Sequence, residues 1–89
     1  MNLIVEELVQ LGIDNMRDLS EIKVEFDIDY FKFLKKEKGF TCKNLAELTG
    51  IHLSTILNYS NGNRVPVAES LYKLAIVLDV TIEDLLKEV

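Results

Sequence analysis

The chain holds one cysteine, one histidine and one proline in 89 residues. A lone Cys42 has no partner for an internal disulfide, which fits a reducing cytoplasm. With His52 as the only imidazole, no Cys/His metal site can be assembled. No apolar run approaches the ~20 residues that cross a bilayer, so no membrane segment is expected. The opening MNLIVEELVQ lacks a basic stretch and sets two glutamates among its apolar residues, unlike a signal peptide. Also missing are a glycine-rich phosphate loop, a Ser/His/Asp set and any carboxylate arrangement suited to acid–base work. No enzyme activity and no cofactor are therefore expected. Repeats, low-complexity tracts and Ser/Pro-rich linkers are absent too, and the length allows one small domain.

Charge is unevenly spread. The net charge is −5, but residues 1–29 carry eight acidic and two basic side chains, whereas residues 30–89 carry seven acidic and eight basic. An acidic protein is a poor ligand for phosphates in general, yet the charge on the docking face is what matters. The blandest account of the N-terminal excess is a solvated surface.

Apolar spacing then sets out the elements. Leu3 or Ile4, Leu8 and Leu11 form a helical stripe, with Asn2 as cap and Gly12 as stop, and Asp14 is placed to cap a short turn through Leu19. IKVEFDID alternates as a strand does, with Ile22, Val24, Phe26 and Ile28 on one side. Its partner would be a short strand nearer the N-terminus or its own copy across a two-fold axis; an amphipathic arm lying on the domain has the same pattern. From Asp29 the periodicity becomes helical. Phe31 and Leu34 point inward in a first helix that ends at Gly39. Thr41 caps a second helix that ends at Gly50, and a third runs from about Leu53 to Ser60. Pro66 precedes a fourth, with Leu71, Leu74, Ala75 and Leu78 inward. TIEDLLKEV reads as a fifth helix opened by a Thr81/Asp84 capping box.

Residues 42–61 carry the most information. Two short helices joined by a tight turn need a small residue at their crossing, a residue tolerant of positive φ at the turn, and apolar residues in the angle. Ala46, Gly50, and Leu45, Ile51, Ile56 and Tyr59 supply these in turn. Within this pattern LKKEKGFTCKNLAELTGIHLSTILNYSNGNRVP, followed by LYKLAIVLDVTIEDLL, resembles the phage-repressor (Xre/Cro-type) helix-turn-helix family over residues 30–86.

The resemblance implies an all-α, five-helix lambda-repressor-like DNA-binding domain at 30–89; residues 1–29 lie outside it and are read from their own pattern as an acidic helix/strand extension with a possible dimer contact. It implies a sequence-specific transcriptional regulator, usually a homodimer, that binds double-stranded DNA with the helix from Leu53 in the major groove. Some family features are missing here. Cys42 replaces the polar residue that reaches phosphate. Lys35 and Ser60 occupy the places of an Arg–Glu pair. His52 is a poorer cap than Ser or Thr, and Asp79 stands where Gly is usual.

Candidate base contacts are Leu53, Ser54, Thr55, Leu57 and Asn58: Asn58 suits adenine, the hydroxyls suit base edges or phosphates, and the leucines suit thymine methyls. Candidate phosphate contacts are Lys43, His52, Asn61, Asn63 and Arg64, with Lys32, Lys36 and Lys38 adding to the field. The competing explanation is a protein-binding, antitoxin-like or anti-repressor-like module that grips a partner through Leu48, Leu53 and Leu57, with Ile76 also exposed. GIHLSTILNYSNG, residues 50–62, contains no Lys, Arg, Asp or Glu, which leaves both uses open.

Overall fold

A computed structural model describes residues 19–89. The stripe from Leu3 to Leu11, its stop at Gly12 and the cap at Asp14 lie outside the described residues. In order, the chain forms a 3-10 turn at Leu19–Glu21, then β1 (Val24–Phe26), α1 (Ile28–Glu37), α2 (Cys42–Thr49), α3 (Leu53–Asn61) and α4 (Ala68–Leu78). A second 3-10 turn at Glu83–Leu85 leads into β2 (Leu86–Glu88).

Local chemistry sets the helix starts and stops. The Asp27 carboxylate accepts the Tyr30 N–H at 3.0 Å and opens α1. Thr41 and Asn44 form a reciprocal capping box at α2: the Thr41 hydroxyl accepts the Asn44 N–H at 3.0 Å and the Asn44 amide oxygen accepts the Thr41 N–H at 3.1 Å. At the end of α4, Asp79 takes the left-handed conformation with φ 56°, and the Val80 N–H closes the last turn on the Ala75 carbonyl.

Each helix buries one face in a common core. Phe31, Leu34, Leu45, Ile56, Tyr59, Leu71, Leu74, Ala75, Leu78 and Leu85 are buried together, and Ile51 packs against them half-covered. All but Leu85, which comes from the 3-10 turn after α4, are positions that the apolar spacing selects. Phe26 joins them from β1, its ring 5.3 Å from Phe31 and 6.3 Å edge-on from Tyr59.

Two expectations are corrected. TIEDLLKEV is not a fifth helix, so the fold is mostly helical rather than all-α, with four α-helices and a two-stranded sheet among the described residues. The Thr81/Asp84 box does form, at 3.0 and 3.2 Å, but it caps a single 3-10 turn. A nine-residue helix is marginal by itself. An extended 86–88 instead pairs its backbone with β1 while Leu85 fills the core. Among the described residues β1 pairs with β2, a partner not expected from the sequence, antiparallel, with Val24 opposite Glu88 and Phe26 opposite Leu86. Asp27 N–H to Leu85 carbonyl (2.8 Å) and Val89 N–H to Lys23 carbonyl (2.9 Å) extend the ladder at both ends. The strand is also shorter than its alternation: Ile28 already belongs to α1, and Val24 is exposed.

Phe26 ties the segment before α1 to the core, so Phe26→Ala is expected to cost about 3–5 kcal/mol. Urea unfolding followed by circular dichroism measures it; a loss under about 1 kcal/mol would mean that the strand is peripheral.

Candidate nucleic-acid interface

α2 and α3 meet at a turn built from three consecutive residues. Gly50 has φ 73° and donates its N–H to the Ala46 carbonyl at 2.9 Å, which ends α2. A side chain at this φ would cost about 1–2 kcal/mol. Thr49 before it is buried. Its hydroxyl donates to the Leu45 carbonyl at 2.6 Å and accepts the Ile51 N–H at 3.2 Å, so one side chain holds both arms of the turn. α3 then starts at His52, whose carbonyl takes the Thr55 and Ile56 N–H groups; its imidazole makes no capping bond, as expected of a poor cap.

The start of α2 lies beside the end of α3. Cys42 Sγ is 3.8 Å from Ser60 Oγ, and the Lys35 ammonium donates to the same sulfur at 3.3 Å. This chain of contacts occupies the place where an Arg–Glu pair is usual, and it joins α1, α2 and α3 through neutral and singly charged groups. Past it, the loop is folded back on α3: the Asn63 and Arg64 N–H groups both donate to the Asn58 carbonyl, at 2.9 and 3.3 Å. Gly62 has φ 78°, and a Cβ there would sit 3.1 Å from Ile28 Cδ1, so this loop packs closely on the start of α1.

The candidate residues fall into three groups. Lys43, Asn61, Asn63 and Arg64 are all exposed at the end where α2 begins and α3 finishes, and His52 is exposed at the opposite end of α3. Leu53, Ser54 and Leu57 are exposed along α3, the leucines at 41% and 44%. Thr55 and Asn58 are half-buried, so Asn58 stands less far out than its position on the helix suggests. Leu48 on α2 is 61% exposed and Ile76 on α4 60%. The Lys38 ammonium donates to the Leu78 carbonyl at the end of α4. A cleft of about 310 Å³ runs beside the loop, where Arg64 and Lys87 share the lining with Glu25 and Asp29. No three His, Cys, Asp or Glu side chains come together as metal ligands among the described residues. None of their helices is long and apolar enough to cross a membrane.

A family profile described as a helix-turn-helix domain matches residues 28–89. The chain belongs to that family. Within it, the phage-repressor-like (Xre-type) character read from residues 30–86 holds. The chain is 37% identical over 60 residues to the HTH-type transcriptional regulator AnsR of Bacillus subtilis (strain 168), matching 67% of this chain and 52% of that protein. It thus spans about half the length of that curated relative. Among solved structures it resembles SinR, the master regulator for biofilm formation, in complex with DNA. The TM-score is 0.62 at 30% identity, covering 65% of this chain and 94% of the other.

Thr49 and the Lys35–Cys42–Ser60 contacts were not legible in the sequence. A hydroxyl that bonds its own helix carbonyl carries no periodic signal, and a cysteine reads as a plain apolar residue until its neighbours are known. Thr49→Val keeps the shape but strands the Ile51 N–H. It is expected to destabilise the fold by about 1–3 kcal/mol, measured by urea unfolding; a neutral result would remove the staple from the turn.

Proposed function

We propose that the chain is a sequence-specific, double-stranded-DNA-binding transcriptional regulator that sets α3 into the major groove. The observation that carries the proposal is the α2–Gly50–α3 unit, closed by Thr49, with an uncharged exposed face on α3 and cations only beside it. Phosphate grip falls to Lys43, Asn61, Asn63 and Arg64, with the N-terminal backbone of α2, while His52 bonds phosphate at the far end. Base edges fall to Leu53, Ser54, Thr55, Leu57 and Asn58. The similarity to a regulator solved on DNA supports this placement. One copy offers few hydrogen bonds, so a homodimer bridging two half-sites is the working form. The acidic residues of 1–29 that precede β1 act as an extension available for the dimer contact. The site of action is the cytoplasm.

The second reading, a protein-binding module, rests on the exposure of Leu48, Leu53 and Leu57. Salt separates the two. Duplex binding through several phosphates weakens steeply as salt rises, whereas a leucine-centred interface hardly responds. Fluorescence anisotropy on A·T-rich random duplex at two or more salt concentrations is the test. Arg64→Ala should weaken binding to all duplexes alike and reduce the log–log salt slope by about one, and Asn58→Ala should relax preference at one base position. Salt-independent retention, or no retention by the unaltered protein, would favour the protein partner.

A further inference from the structure

We infer that Leu53 and Leu57 form a reader of pyrimidine C5-methyl groups, so that the ligand class is a duplex presenting two such methyls in the major groove, from thymine or 5-methylcytosine. The inference rests on the DNA-binding reading and names what α3 recognises.

Three observations lead to it. α3 carries no cation, so the bidentate Arg or Lys contact to guanine is not available from this helix. Of its three amide- or hydroxyl-bearing candidates, Asn58 and Thr55 are half-buried and only the short Ser54 is exposed, whereas the longer Leu53 and Leu57 stand out beside it. The leucines are four residues apart, hence on one face and about 6 Å apart along the helix axis. Base pairs stack at about 3.4 Å, so two apolar side chains at this spacing can meet methyls on neighbouring or next-neighbouring pairs.

The methyl at C5 is the apolar group on the major-groove edge of a base pair. Uracil lacks it, and so does cytosine until it is methylated at the same carbon. A groove lined with anionic phosphates is otherwise a poor host for exposed leucine. Lys43 and Arg64 at the end of the unit, both exposed, supply the charge complementarity that the α3 face lacks. Cytosine methylation within the bound site then acts as an input: it adds a contact where a thymine would have supplied one.

The test uses the full chain and the duplex most enriched from a random-sequence pool. Each thymine is replaced in turn by deoxyuridine, which removes a methyl and leaves the base pairing intact. Affinity should fall about four-fold at each of two positions, and about fifteen-fold with both replaced. At the same positions, 5-methylcytosine·guanine should bind about four-fold more tightly than cytosine·guanine. Leu53→Ala and Leu57→Ala, at exposed sites, should each become indifferent to one of the two methyls; this separates methyl contact from altered duplex shape. Binding that stays steeply salt-dependent yet ignores every thymine-to-uracil change overturns the inference and leaves the DNA-binding reading intact. Failure to retain any duplex overturns both.

Discussion

Two helices that share a short turn can cross closely only if the backbone reverses its handedness between them without leaving polar groups unpaired. Gly50 provides the reversal, and Thr49 provides the pairing, since its hydroxyl holds the Leu45 carbonyl on one side and the Ile51 N–H on the other. The rest of the interface follows from this pair. With the angle fixed, Leu45 and Ile56 meet in the core, Leu53 and Leu57 are turned out, and the end of α3 comes back beside the start of α2.

That return places charge and apolar surface in different parts of one unit. Lys43 and Arg64 lie near the junction of the α2 start and the α3 end, whereas the exposed side of α3 is uncharged. A duplex presents the same division, with phosphates along its edges and base edges between them. The contacts among Lys35, Cys42 and Ser60 hold this junction without an ion pair.

The sheet serves a different end. β1 and β2 join the residues before α1 to those after α4, and Phe26 inserts into the core between Phe31 and Tyr59. The surface ion pair Glu25–Lys87, at 3.5 Å and well exposed, adds little to this clasp. Its main contribution is backbone pairing plus one buried aromatic ring. The Arg64 loop rests against the same region through Gly62 and Ile28, so the clasp also backs the loop that would meet phosphate.

The sequence alone determined the four helices, their inward residues and the turn at Gly50. All of these follow from local rules: 3–4 spacing, the capping side chain at Thr41, and residues that tolerate positive φ at Gly50 and Asp79. The tertiary structure decided everything that depended on a distant partner. Whether 86–88 coils or extends is a choice between a marginal helix and a strand with β1 to pair against, and no local pattern contains β1. How far Asn58 stands out, where the Lys38 ammonium goes and what surrounds Cys42 are likewise set by neighbours many residues away in the chain. Periodicity names the face of a helix, but only packing fixes how much of each side chain on that face remains uncovered.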